Sequence, residues 1–162
     1  MHNRGLTLLE VIAIVAMIAI LAALFLPPVF GVGTRHPRNI LCASNLRQLY
    51  QLGCVYSSTH QGQWPAAKGD DLWLSFTRTS PPLLEGVYLE VLACPVKGEE
   101  PESGHTDYRG PRRPAVDLKS TDVLGSDKAG NYGDEYGGTV LFKDGSVHEL
   151  ENSDPRWADR DP

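Results

Sequence analysis

The first 65 residues contain no lysine and no aspartate, and their one acidic side chain, Glu10, faces four arginines, Arg4, Arg35, Arg38 and Arg47. They carry a formal +3, while the other 97 residues, with 11 basic and 19 acidic side chains, carry −8. The resulting −5 supplies no basic surplus of the kind a nucleic-acid binder presents, so no nucleic acid is expected as a partner. Apolar residues are as unevenly spread. Leu6 to Phe30 hold 21 in 25 positions, leaving 46 of 67 for the other 137, which is low for a packed domain. This is not the composition of a uniform soluble globule. Cysteine is scarce and odd in number, so at least one of Cys42, Cys54 and Cys94 stays unbridged. No glycine loop has phosphate-cradling spacing, and the histidines fall in no metal-ligand pattern. The sequence points to no cofactor, no metal and no catalytic residue.

From Leu6 to Leu26 the only ionisable side chain is Glu10. A helix of that length spans roughly 31 Å, close to the ~30 Å hydrocarbon core of a bilayer. Its apolar residues cover every face, and the rest of the chain is too polar to enclose it. A secretory signal peptide is the nearest competitor, with Arg4 ahead of Val11–Leu26 and Gly31-Val32-Gly33 as a cleavage pattern. Glu10 separates the two readings. An ionised carboxylate one turn inside an apolar helix costs about 2.5–3.5 kcal/mol on insertion scales, and a signal peptide has no use for it. Snorkelling to the interface is the plainer account of such a residue. Among packed helices, by contrast, a carboxylate can pair with a neighbouring chain's terminal amine and so set the axial register.

Gly5-Leu6-Thr7-Leu8-Leu9-Glu10, with Arg4 before it and the apolar run after it, resembles the class III prepilin signal of type IV pilins and type II secretion pseudopilins. The resemblance implies cleavage between Gly5 and Leu6 by a membrane prepilin peptidase and N-methylation of Leu6. Glu10 then stands where the family places its assembly glutamate, and Pro27 where many members carry a helix-kinking proline. Leu6 and Leu9 depart mildly from the common Phe and Ile. The positive-inside count is nearly balanced between Arg4 and Arg35 with Arg38, so the cytoplasmic N-terminus is implied by the resemblance alone.

Pro27-Pro28 removes two amide donors and predicts a kink or break. Helical patterning resumes with Cys42, Leu46, Leu49, Gly53 and Tyr56, one stripe of an amphipathic helix suited to bury against a sheet, ending near Gly62 and Trp64-Pro65. Cys42-Ala43-Ser44-Asn45-Leu46-Arg47-Gln48-Leu49 is similar to a segment that follows the anchor in a large group of planctomycete-type pilin-like proteins. The exit Gly62-Gln63-Trp64-Pro65 and the later Cys94-Pro95 fit the same group. Beyond residue 61 lie 9 of the 12 prolines and 12 of the 16 glycines, a density that means turns and long loops around a small sheet. Leu72–Thr77 and Val87–Ala93 read as short strands or strand–helix pieces, and 98–113 as a loop. Asp144-Gly145 between two apolar runs predicts a hairpin with a two-residue type I′ turn. That turn pairs Phe142 with Val147 on the core face and Leu141 with His148. In the resembling group a histidine precedes such an Asp-Gly by nine intervening residues; here that position holds Asp134, so the motif is degraded.

Cys42 and Cys54 lie twelve residues apart on one helix, about 18 Å, beyond disulfide reach. Cys94 bridged to Cys54 or to Cys42 is favoured over three thiols, and the spacing does not choose. A Cys54–His60 nucleophile–base pair has nothing to bring it together. The loop Asp127–Glu135 offers oxygen ligands for calcium, which major secretion pseudopilins bind near the C-terminus. Its spacing is not that of an EF-hand, and a solvated acidic loop is the plainer reading. Residues 151–162 read as a mobile polar tail with Trp157 packed back or idle.

The expected fold is α+β: a long N-terminal helix, membrane anchor continuing into an amphipathic half, packed on a small antiparallel β head. The expected organisation is leader 1–5, transmembrane and assembly helix 6–30, amphipathic helix 31–61, loop-rich β head 62–150 and tail 151–162. The expected function is a non-enzymatic pilin-like subunit of a type IV filament or type II secretion system. Its expected partners are prepilin peptidase, other pilin or pseudopilin subunits, an assembly platform and membrane lipid. The head would be periplasmic, on a single-pass inner-membrane protein that later joins a filament. The alternative is a binding module or enzyme that uses the segment only for export.

Overall fold

The computed structural model describes residues 8–25, 37–98, 104–128, 130–131 and 137–158. The chain divides into two units, Met1–Arg35 and His36–Pro162. In the first, α1 (Leu8–Phe25) carries Glu10 in its first turn. Its residues 8–21 are exposed on every face, Leu8 and Leu9 at 79%. The longer anchor helix expected here is not supported. α1 has 18 residues, about 27 Å by helical rise, and α2 begins separately at Pro37. Among the described residues no helix is long and apolar enough to cross a membrane.

In the second unit, α2 (Pro37–Thr59) starts on a proline, whose missing N–H costs nothing at a first helical position. Its stripe is the expected one. Cys42, Leu46, Leu49 and Gly53 are buried and Tyr56 is half-buried. Gly62, in the left-handed region at φ 81°, donates its N–H back to the Ser57 carbonyl at 2.8 Å and closes the helix end. Two segments expected as short strands or strand–helix pieces are helical. Leu72, Trp73 and Leu74 belong to α3 (Asp70–Ser75), and 86–92 form a 3₁₀ helix, Gly86–Leu92. Short apolar runs have no period that separates strand from helix. Asp70 and Asp71, in the first turn of α3, favour the helix through its dipole.

The sheet has four antiparallel strands in sequence order: β1 (Tyr108–Arg109), β2 (Val123–Asp127), β3 (Gly138–Phe142) and β4 (Val147–Leu150). α2 packs across β2, β3 and β4 and against the 3₁₀ helix. Between them lies the core of Cys42, Leu46, Leu49, Trp73, Leu124 and Leu141, with further residues of α3 and the 3₁₀ helix. Each large apolar side chain so buried contributes about 1.5–3 kcal/mol. The opposite sheet face holds a smaller cluster of Val140, Phe142 and Leu150.

The hairpin is present, but its register differs from expectation. Leu141 pairs with Val147 and Val140 with His148. The Phe142 N–H donates to Ser146 O at 2.9 Å, and Gly145 N–H donates to Phe142 O at 3.0 Å. The loop is therefore three residues, Lys143-Asp144-Gly145, with Gly145 left-handed at φ 86°. A one-residue slip exchanges the faces of a strand. Leu141 and Val147 accordingly join the main core, and Phe142 faces the smaller cluster. At the C-terminus α4 (Pro155–Ala158) replaces part of the expected tail. Asp154 accepts the Arg156 N–H at 2.9 Å and pairs with its guanidinium at 2.7 Å.

Candidate functional site

Cys42 stands on the buried stripe of α2, and Cys94 begins the turn that follows the 3₁₀ helix. Asp107 holds that turn. Its carboxylate accepts the Cys94 backbone N–H at 2.8 Å, Lys97 Nζ at 2.8 Å and His105 Nε2 at 3.4 Å. Burial pushes the Asp107 carboxyl up, but the Lys97 ammonium, the Cys94 amide and His105 outweigh it and hold the group below the usual carboxylate range. The Asp107 carbonyl in turn accepts Lys128 N–H and the buried Asn131 Nδ2, at 3.1 Å each. One buried aspartate thus fixes the segment that presents Cys94.

The two sulfurs meet at 2.9 Å, with Cys42 wholly buried and Cys94 at 1% exposure. The carboxylate of Asp127, at the end of β2, completes a group whose three potential ligand atoms lie within 4.8 Å of one another. Asp127 Oδ2 also accepts the Thr139 N–H at 2.8 Å across to β3. Beside the sulfurs, Asn45 Nδ2 donates to the Tyr108 hydroxyl and to Ala93 O, at 3.1 Å each. Burial, with Cys42 and Asp127 adding to it, pushes the Tyr108 phenol far above its usual range. Hydrogen bonding to Cys42, followed by burial, does the same to the Cys94 thiol. A thiol held protonated in this way is the opposite of an activated nucleophile. The cluster can join its sulfurs or hold a soft metal ion; it is not arranged for attack on a substrate.

The residues singled out from the sequence are placed differently. Gly5 and Leu6 lie outside the described residues, and Glu10 is exposed on α1. Of the two sequence options for Cys94, the partner brought to it is Cys42. Cys54 is exposed, one helical turn from Tyr50. His60 stacks on Tyr56 with ring centroids 3.7 Å apart, and its Nδ1 engages Tyr56 O and Thr59 Oγ1 at 2.9 Å. His148 meets Phe142 edge-on, and His36 lies outside the described residues. Of the suggested calcium loop, Asp127 and Asn131 turn inward onto protein partners, and residues 129 and 132–136 lie outside the described residues. Asp107, Tyr108 and Asn45 were not site candidates from sequence. Asp107 and Tyr108 stand in no motif, Asn45 stands in the Cys42–Leu49 segment with no site role attached to it there, and folding alone unites them. Comparison with known proteins finds no matching family model, no matching curated protein and no matching solved structure.

Proposed function

We propose that this chain is a pilin-like subunit that assembles, through its N-terminal helix, into a type IV filament or a type II secretion pseudopilus. The carrying observation is the succession Gly5-Leu6…Glu10 followed by an apolar run, in which a single acid interrupts 21 residues. The character of α1 supports it. Leu8, Leu9, Ile12, Val15, Met17, Ile18 and Ile20 are each more than half exposed, an apolar surface that calls for lipid or other helices as cover. The proposal takes Leu6–Leu26, three residues longer than α1, as the segment that meets the bilayer.

In this reading a prepilin peptidase cuts after Gly5 and Leu6 is methylated. The acidic head stands in the periplasm, and an assembly platform moves the helix from lipid into a bundle of like helices. Glu10 pairs there with the amine of a neighbouring Leu6, which offsets the desolvation of its carboxylate. Glu10→Ala leaves the head folded and the chain membrane-associated but lowers its recovery in sheared filament or pseudopilus fractions. Unchanged recovery of that variant contradicts the role given to Glu10.

A further inference from the structure

We propose that Cys42 and Cys94 are the target of a thiol–disulfide oxidant and close a bridge that ties the start of α2 to the turn after the 3₁₀ helix. Three observations carry it. The sulfurs are already in contact at 2.9 Å, from residues 52 apart in sequence. Each is anchored independently, Cys42 on a helix packed over the sheet and Cys94 by the Asp107 carboxylate on its backbone N–H. Both are buried, so a bond between them opens no cavity and exposes no sulfur.

A metal ion is the competing use of the same atoms, and distance decides against it. Tetrahedral zinc at about 2.3 Å from each sulfur sets the two roughly 3.8 Å apart, well beyond the separation here. Asp127 Oδ2 is already engaged with the Thr139 N–H, so the carboxylate offers at most its other oxygen, Oδ1.

The reaction balances with one named partner, a disulfide of the thiol–disulfide exchange class. A thiolate of the pair attacks it, forming a mixed disulfide and releasing one thiol. The second cysteine then displaces the other thiol and forms the Cys42–Cys94 bond. Two protons and two electrons leave the pair, and the oxidant becomes two thiols. Because both sulfurs are buried once the head is formed, the exchange takes place while the head folds. That this happens in the cell rests on the proposed export of the head, since cytosolic thiols are kept reduced.

The test is oxidative refolding of the full-length chain in mild detergent with oxidised and reduced glutathione, followed by alkylation and peptide mass mapping. The expected product is about 2 Da lighter than the reduced chain, with peptides 42 and 94 joined and Cys54 alkylated. Its melting midpoint lies about 10 °C above that of the reduced protein, an effect of closing so long a loop. Cys54→Ala refolds to the same bridged product. Alkylation of all three cysteines, a bridge that includes Cys54, or stoichiometric zinc on unbridged sulfurs each overturns the proposal. None of these readouts depends on processing at Gly5, so failure of the bridge and failure of the filament reading are separately visible.

Discussion

The indole of Trp64 fills the space that a side chain on Gly53 would need: a β-carbon there would lie 2.1 Å from Trp64 Cζ3 and Cη2. Gly53 is mid-helix in α2, where glycine costs about 1 kcal/mol relative to alanine. It stands at a point where the chain returns across its own helix. The contact extends to the hairpin. Lys143 Nζ sits 4.0 Å from the Trp64 ring centre, and Tyr50 packs where a β-carbon on Gly145 would be. Two glycines therefore let two aromatic rings lock the hairpin tip onto α2.

Gly53→Ala, although better for an isolated helix, is expected to destabilise the head by about 1–3 kcal/mol through overpacking against Trp64. Urea unfolding checks it. A stabilised variant would mean that the ring yields freely.

Asp107 predicts an acid sensitivity. Its folded carboxyl titrates below its ordinary value of 3.8, so its stabilisation is complete above that value and disappears as pH falls through the lower, folded value. Asp107→Asn is expected to lower stability at pH 7 and to flatten the acid-unfolding profile below pH about 4. An Asp107→Asn profile parallel to the parent protein's at every pH would contradict the assignment.

Asn45→Ala removes the amide that α2 lends to Tyr108 and Ala93 O. The expected loss is about 1 kcal/mol, seen as a lower urea midpoint with unchanged slope. The Tyr108 hydroxyl still reaches Ala93 O at 3.4 Å, which limits the damage.

The hairpin register is open to direct measurement. Side-chain NOEs are expected between Leu141 and Val147 across the strands, with Phe142 showing contacts to Val140 and Leu150. Strong Phe142–Val147 NOEs would restore the two-residue turn.

These details show where the sequence was legible. The α2 stripe was, because one helical face repeats over four turns. The hairpin's place was, because Asp144-Gly145 interrupts two apolar runs; its register was not, since the same pair serves a three-residue loop with Gly145 left-handed. β2 gave no signal. Val123-Leu124-Gly125-Ser126-Asp127 has no alternation, and a bulge between Val123 and Gly125 brings Leu124 into the core. The cysteine pairing was closer to hand. Twelve residues turn about 120° round a helix, so Cys42 on the buried stripe excludes Cys54 from it. Asp107 looked like an ordinary loop acid and Asp127 like part of an acidic loop open to calcium or solvent, because only the tertiary fold surrounds them with donors.

The central claim is the processed and assembled N-terminus, and mass analysis of the N-terminal peptide of the protein isolated from its native membranes tests it most directly. The account predicts a chain that begins at Leu6 with a methylated amine. A chain that begins at Thr34 would contradict it.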